Sequence, residues 1–195
     1  GGFSADGAEA VAGRQVLDAL DALLDGSLVR AEQPLGDEPR FGMLETIREF
    51  AAERLEESGT ADDYRAEHPT YYLELAERGN AALATAAQVD WLERLSREND
   101  NFRAVLRRAL GREDATSALR MGRALASYWY IGGTGGEGRG WMEQVAGLPS
   151  APRNERTVAW TIAAIEAFLL GDFEPIETGL DNALQGSGEG EDRRI

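Results

Sequence analysis

The 195-residue sequence contains no cysteine, no lysine and a single histidine, His68. Without thiols it can form no disulfide, run no thiolate chemistry and build no Cys-ligated zinc site. Without lysine it can write no G-x-x-x-x-G-K-[ST] phosphate loop and form no Schiff base. One imidazole leaves the usual nucleophile and base pairings without members, and alone it cannot hold a metal. Long apolar runs are missing too. None approaches the ~18 to 20 residues of a membrane-spanning helix, and the opening stretch "GGFSADGAEAVAG" lacks the charged and apolar blocks of a signal peptide. A cytoplasmic location, no membrane contact and no catalysis are the expectations.

What is present is acid. There are 35 Asp and Glu against 20 basic residues, all arginine, for a net charge of -15. Residues 1–59 carry 13 acids and 5 arginines, net -8, and the remainder 22 and 15, net -7. Nucleic-acid backbones are bound by clustered cations that release counterions, so neither part is expected to touch nucleic acid directly. The hydrophobic content of 43% is enough to close a core.

The patterning is mainly helical. A short helix is expected over Ser4 to Ala12, and a second where Val16, Leu17, Leu20, Leu23 and Leu24 recur at helical spacing before Gly26. "SLVRAEQ" and "RFGML" read as strands around the turn "PLGDEP", so residues 27–44 form one β-hairpin. A helix follows from Glu45 to Ser58, with Ile47, Phe50, Ala51 and Leu55 as its buried face and Gly59 as its stop. Helix, helix, hairpin, helix is the back half of a winged-helix domain.

Beyond Gly59 only helices are expected. One starts after Thr60, and Pro69 should break or kink it unless a new helix begins there. Two more join near Asn99 to Asn101, where Asn and Asp favour a cap. Ala118, Met121, Leu125 and Tyr128 mark a long helix, and "EGRGWMEQVAGL" the next. Residues 154–185 repeat this plan, with Gly133 and Gly171 38 residues apart and Trp141 and Leu180 39 apart. That period fits tetratricopeptide-like helical hairpins stacked into an α-α superhelix. Residues 186–195 read as a disordered tail or the cut end of a longer array.

"GGTGGEGRG" holds a literal G-x-G-x-x-G at Gly133, Gly135 and Gly138. A dinucleotide site needs that pattern after a strand, and the preceding spacing is helical, so a flexible helix-to-helix turn is the better reading. His68 reads as a helix-surface or capping residue, and paired acids such as Asp62 and Asp63 as solvated charge. Most aromatics should be core. On the concave side of a stack, Trp129 and Tyr130 with Arg120, Arg123 and Arg139 would line a groove for a ligand or partner.

"RFGMLETIREFAAERLEESG", with "YYLELAE", "WLERLSRENDNFRAVLRRAL" and "YWYIGG", resembles large LuxR-type bacterial transcriptional regulators built around a signal-transducing ATPase. The resemblance covers nearly the whole sequence. It implies that residues 1–59 are the C-terminal part of a winged-helix domain and that residues 60–185 are a tetratricopeptide-like array. It further implies that the chain packs on its own ATPase core elsewhere in a longer protein, and that an inducer or partner protein is received at the repeats. Related ATPases carry a Met-His-Asp motif at the strand-to-helix joint whose histidine contacts the phosphate of ADP. The matching residues are Met43, Leu44 and Glu45, and leucine cannot hydrogen-bond a phosphate. ATP or ADP is therefore expected only with the absent core, and no cofactor or metal in this stretch. A stand-alone helical-repeat adaptor is the alternative.

Overall fold

Ser4 decides where the first helix starts. In the computed structural model, which describes residues 2–13, 16–32 and 39–172, its hydroxyl accepts the Gly7 N–H at 3.1 Å. That satisfies one of the orphan donors at the head of helix α1, Ala5–Ala12. Just before it, Phe3–Ser4 forms strand β1. Helix α2, Val16–Asp25, ends where Ser27 takes a left-handed φ of 55° and the Leu28 N–H reaches back to the Leu23 carbonyl at 2.9 Å. Strands β2, Arg30–Glu32, and β3, Arg40–Gly42, follow. All pairing is antiparallel in the order β1-β3-β2, with Phe41 opposite both Phe3 and Ala31.

The hairpin is thus one side of a three-stranded sheet, with β3 in the middle. A two-residue strand is too short to show a period-2 pattern, which is why β1 goes unread in the sequence. The turn "PLGDEP" spans residues 33–38, outside the described residues. Phe41 packs with Leu20 and Val29 into a small core, and Phe3, Val16, Leu23 and Met43 close around it.

Helix α3, Glu45–Ser58, ends at Gly59, whose φ of 74° suits a residue without Cβ. Its expected buried face is not found. No residue of α3 is buried, and Phe50 is 59% exposed with the Arg54 guanidinium 5.3 Å from its ring centre. An apolar stripe tells which side of a helix can be covered, not that the described residues cover it.

Helix α4 runs from Ala61 to Ala82 with Pro69 inside it. The expected break does not occur. Proline costs a helix interior about 3 kcal/mol, and burial of Tyr72, Leu75 and Ala76 in the following turns outweighs it. His68 lies mid-helix and half-buried, its ring 4.6 Å from that of Tyr72, so it is not a cap.

Helices α5, Gln88–Arg97, and α6, Asn99–Gly111, meet at the joint the sequence indicates. Helix α7, Ala115–Ile131, is capped by the Asp114 carboxylate, which accepts the Ser117 N–H at 3.0 Å. Helices α8, Gly135–Ala146, and α9, Arg153–Leu169, complete the described residues. The expected pairing of α9 with a further helix through Leu180, and the tail over 186–195, lie outside them. The whole is mainly α with a small antiparallel sheet.

The chain divides into two compact units, Gly1–Glu74 with Arg97–Asn101 and Leu75–Ser96 with Phe102–Ile195. In the second, α7 and α9 end alike. Gly133 at φ 72° and Gly171 at φ 73° are each followed by an N–H that bonds five residues back, Thr134 to Trp129 at 2.9 Å and Asp172 to Ala167 at 3.0 Å. The 38-residue spacing of these two glycines therefore corresponds to a repeated local structure.

The glycine-rich segment is not all turn. Only Gly132 to Thr134 lie between helices, and Gly135 onward is helix α8. A Cβ on Gly138 would sit 2.4 Å from the buried indole of Trp129, so the bare backbone lets α8 close against α7. Gly138→Ala is expected to lower stability by about 1 to 2 kcal/mol, overpacking outweighing alanine's better helix propensity. Thermal unfolding checks this, and a raised Tm would contradict it.

Candidate functional site

Three helices of the second unit bring polar groups together around a cavity of about 680 Å³. Helix α4 contributes Glu77 and Asn80, α7 contributes Thr116, Arg120 and Arg123, and the first turn of α9 contributes Glu155. The helical repeat explains the α7 set: positions 116, 120 and 123 fall on one stripe, separated by about one turn each. Leu119 and Ala124, on the same helix, and Val158 on α9 add apolar wall.

The charges are unevenly satisfied. Arg120 holds Glu77 through two hydrogen bonds, Nε to Oε1 at 2.7 Å and Nη2 to Oε2 at 3.0 Å. This forked pairing fixes both side chains in register. Thr116 donates its hydroxyl to Glu155 Oε1 at 2.8 Å. The other carboxylate oxygen of Glu155, and Oδ1 of Asn80, are buried with no hydrogen-bond partner among the described residues. Arg123 is exposed and makes no ion pair among them. Of these unpartnered groups, the Arg123 guanidinium is the exposed one on the cavity wall.

The structure separates the other groove residues. Tyr130 is exposed at the end of α7. Trp129 is in the core against Gly138 and offers no ring face to a surface. Arg139, on α8, donates Nε to Glu143 at 2.7 Å and Nη1 to Asp172 at 2.7 Å, and does not line the cavity. So Arg120 and Arg123 share a site that Trp129, Tyr130 and Arg139 do not line. Asn80 and Glu155 were missed in the sequence, where Glu155 reads as ordinary first-turn acid.

Within the first unit, the strand-to-helix joint places Met43 against the small core, Leu44 at the N-cap of α3 with no side-chain capping bond, and Glu45 in an ion pair with Arg48. None of the three is a group that would hold a phosphate.

The first unit also contains a buried polar node. Glu98, only 5% exposed, accepts from Arg40 Nη1, from Asn101 Nδ2 at 2.6 Å and from the Tyr72 hydroxyl. Arg40 Nη2 reaches the carbonyls of Arg97 at 2.6 Å and Gly2 at 3.0 Å, and Asn101 also donates to the Gly2 carbonyl at 3.0 Å. Burial pushes the Tyr72 hydroxyl well above its usual range, and the Glu98 charge adds to this. Every atom named is occupied in holding the fold, which marks the node as structural.

Among the described residues no three His, Asp or Glu gather in a way that could hold a metal ion, and no helix is long and apolar enough to cross a membrane.

Compared with known proteins, the chain is 36% identical over 156 residues to a protein of Mycobacterium bovis named as an HTH-type transcriptional regulator. Two proteins of Mycobacterium tuberculosis carry the same description and the same 36% identity. Each match covers 74% of this chain and 17% of the relative, so the chain spans about a sixth of the length of these relatives. No protein-family model matches the chain, and no solved structure matches it significantly.

Proposed function

We propose that the chain is a non-catalytic, ligand-receiving part of a bacterial transcriptional regulator of the LuxR type with a signal-transducing ATPase core. The observation that carries this reading is a polar cavity lined by Arg120, Arg123 and Glu155, in a chain similar to named transcriptional regulators. Residues 1–59 then serve as the end of a winged helix and the later helices as a tetratricopeptide-like array. The repeated ends of α7 and α9 support the second assignment. The exposed Leu44 and Phe50 on α3 give an ATPase core a surface to cover. Occupancy of the cavity would favour one packing of these surfaces over another, and nucleotide on the core would bias the same equilibrium.

Deleting the gene that encodes the chain should change transcript levels of a defined set of promoters, restored by the full-length reading frame. Unchanged transcripts across growth conditions would contradict the regulator reading. A lysine-bearing phosphate loop encoded in the same frame would support the ATPase core. The 195-residue chain alone is expected to bind neither ATP nor ADP. A dissociation constant below about 10 μM by calorimetry, close to 7 kcal/mol of binding, would overturn that expectation.

A further inference from the structure

We propose that the cavity between α4, α7 and α9 binds a small organic monocarboxylate, its carboxylate on the Arg123 guanidinium and its uncharged body along α7 toward Thr116. The proposal deepens the ligand-receiving role argued above and rests on it. Its basis is the order of the charged groups along one helix. Thr116, Arg120 and Arg123 share a stripe of α7, and all three line the cavity. At a rise of about 1.5 Å per residue, that stripe spans roughly 10 Å. At its N-terminal end the Thr116 hydroxyl is given to Glu155, and in its middle Arg120 and Glu77 neutralise each other through two bonds. At its far end Arg123 is exposed, with no ion pair among the described residues.

Glu155 does not offset that charge. One of its oxygens takes the Thr116 proton and the other is buried, so it is held at the Thr116 end of the stripe, about two helical turns from Arg123. The exposed guanidinium is thus left to an incoming group, and its planar fork matches the two oxygens of a carboxylate. A phosphate would bring close to two negative charges, into a chain of net charge -15 and one turn from Glu77, whose side chain is 41% exposed. A single negative charge meets less of that repulsion. A bare inorganic anion would leave most of the cavity, about 680 Å³, unfilled. That volume is in the range of sites for drug-sized ligands. Leu119, Ala124 and Val158 give part of the wall no polar group, so the body of the ligand carries no further charge.

The test is calorimetry of the 195-residue chain with 1-naphthylacetate, 1-naphthylacetamide and 1-naphthyl phosphate, which share one uncharged body. Naphthylacetate should bind with a dissociation constant of about 1 mM or tighter. The amide, which lacks the charge, and the phosphate, which doubles it, should each bind at least about tenfold more weakly. Arg123→Gln should abolish the preference for the acid over the amide. Arg107→Gln removes the same charge from α6, away from the cavity, and should leave all three affinities unchanged. Both arginines are exposed, and circular dichroism melts establish that both variants fold.

Absence of naphthylacetate binding at about 10 mM overturns the proposal. So does equal binding of the acid and the amide, tighter binding of the phosphate, or a preference for the acid that survives in Arg123→Gln. If naphthylacetate binds as expected while gene deletion leaves transcripts unchanged, the carboxylate site stands and the regulator reading falls. Changed transcripts without naphthylacetate binding overturn the site and leave the regulator reading standing.

Discussion

Replacing Glu98 by alanine is expected to destabilise the folded chain by about 3 to 5 kcal/mol, because it removes one member of a buried ion pair and strands the others. The Arg40 side chain is 12% exposed, and it would keep its charge while losing the carboxylate buried beside it, left among the described residues with the half-exposed Glu32 at 3.5 Å. The two carbonyls it also reaches, of Arg97 and Gly2, cannot neutralise that charge. Asn101 and the Tyr72 hydroxyl lose an acceptor in the same step. Urea unfolding should show the midpoint fall with little change in slope. Arg40→Ala should cost a similar amount, and the double variant much less than the sum, since the two residues act as one unit. A loss below about 1 kcal/mol for Glu98→Ala would mean that the pair is as weak as a surface one.

Glu166→Gln is expected to do the opposite, increasingly as pH rises from 4.5 toward 7. Glu166 is 2% exposed on α9, and its Oε2 has no hydrogen-bond partner among the described residues. Burial alone pushes its carboxyl from 4.5 up to about 7. A raised carboxyl holds its proton more tightly folded than unfolded. Stability from this group is therefore full below pH 4.5, falls as pH rises toward 7, and stays lost above. The interval between the two values corresponds to a loss of about 3 kcal/mol at most. Glutamine carries no titrating proton, so the variant should gain roughly 2 kcal/mol over the parent at pH 8 and little at about pH 4. Paired melts across that range isolate the effect from the acid's many other carboxylates. A difference in Tm that does not grow with pH would rule out a buried, neutral carboxyl.

The helices were legible where one residue pattern sufficed. Ala118, Met121, Leu125 and Tyr128 are all buried on α7, as their spacing indicates, and Asn99 does begin α6. Gly59 ends α3 in the left-handed conformation that glycine favours there. What escaped depends on residues far apart in the chain. Arg40 and Glu98 are separated by 58 positions, and Arg120 and Glu77 by 43. Nothing local in either sequence neighbourhood distinguishes these charges from solvated ones. The sequence reading offers Arg120 and Arg123, with Arg139, as polar contacts of a groove on the concave side of a stack. Asn80 and Glu155 come from α4 and α9, and only packing brings them into one cavity with Arg120 and Arg123. Trp129 was placed in the groove because aromatic rings line grooves as readily as cores. The glycine opposite it, four residues into the next helix, decides for the core.

That contact has a further consequence for how α8 comes to exist. Gly135, Gly136, Gly138 and Gly140 occupy four of its opening six positions. Each glycine disfavours helix by about 0.5 to 1 kcal/mol relative to alanine, so this stretch cannot nucleate on its own. It needs neighbours to wind against, the Trp129 indole of α7 beside Gly138 and Glu166 of α9 beside Gly135 among them. The amide protons at the start of α8 should then exchange with solvent whenever those neighbours loosen, which makes them a readout of the flanking helices and not of their own.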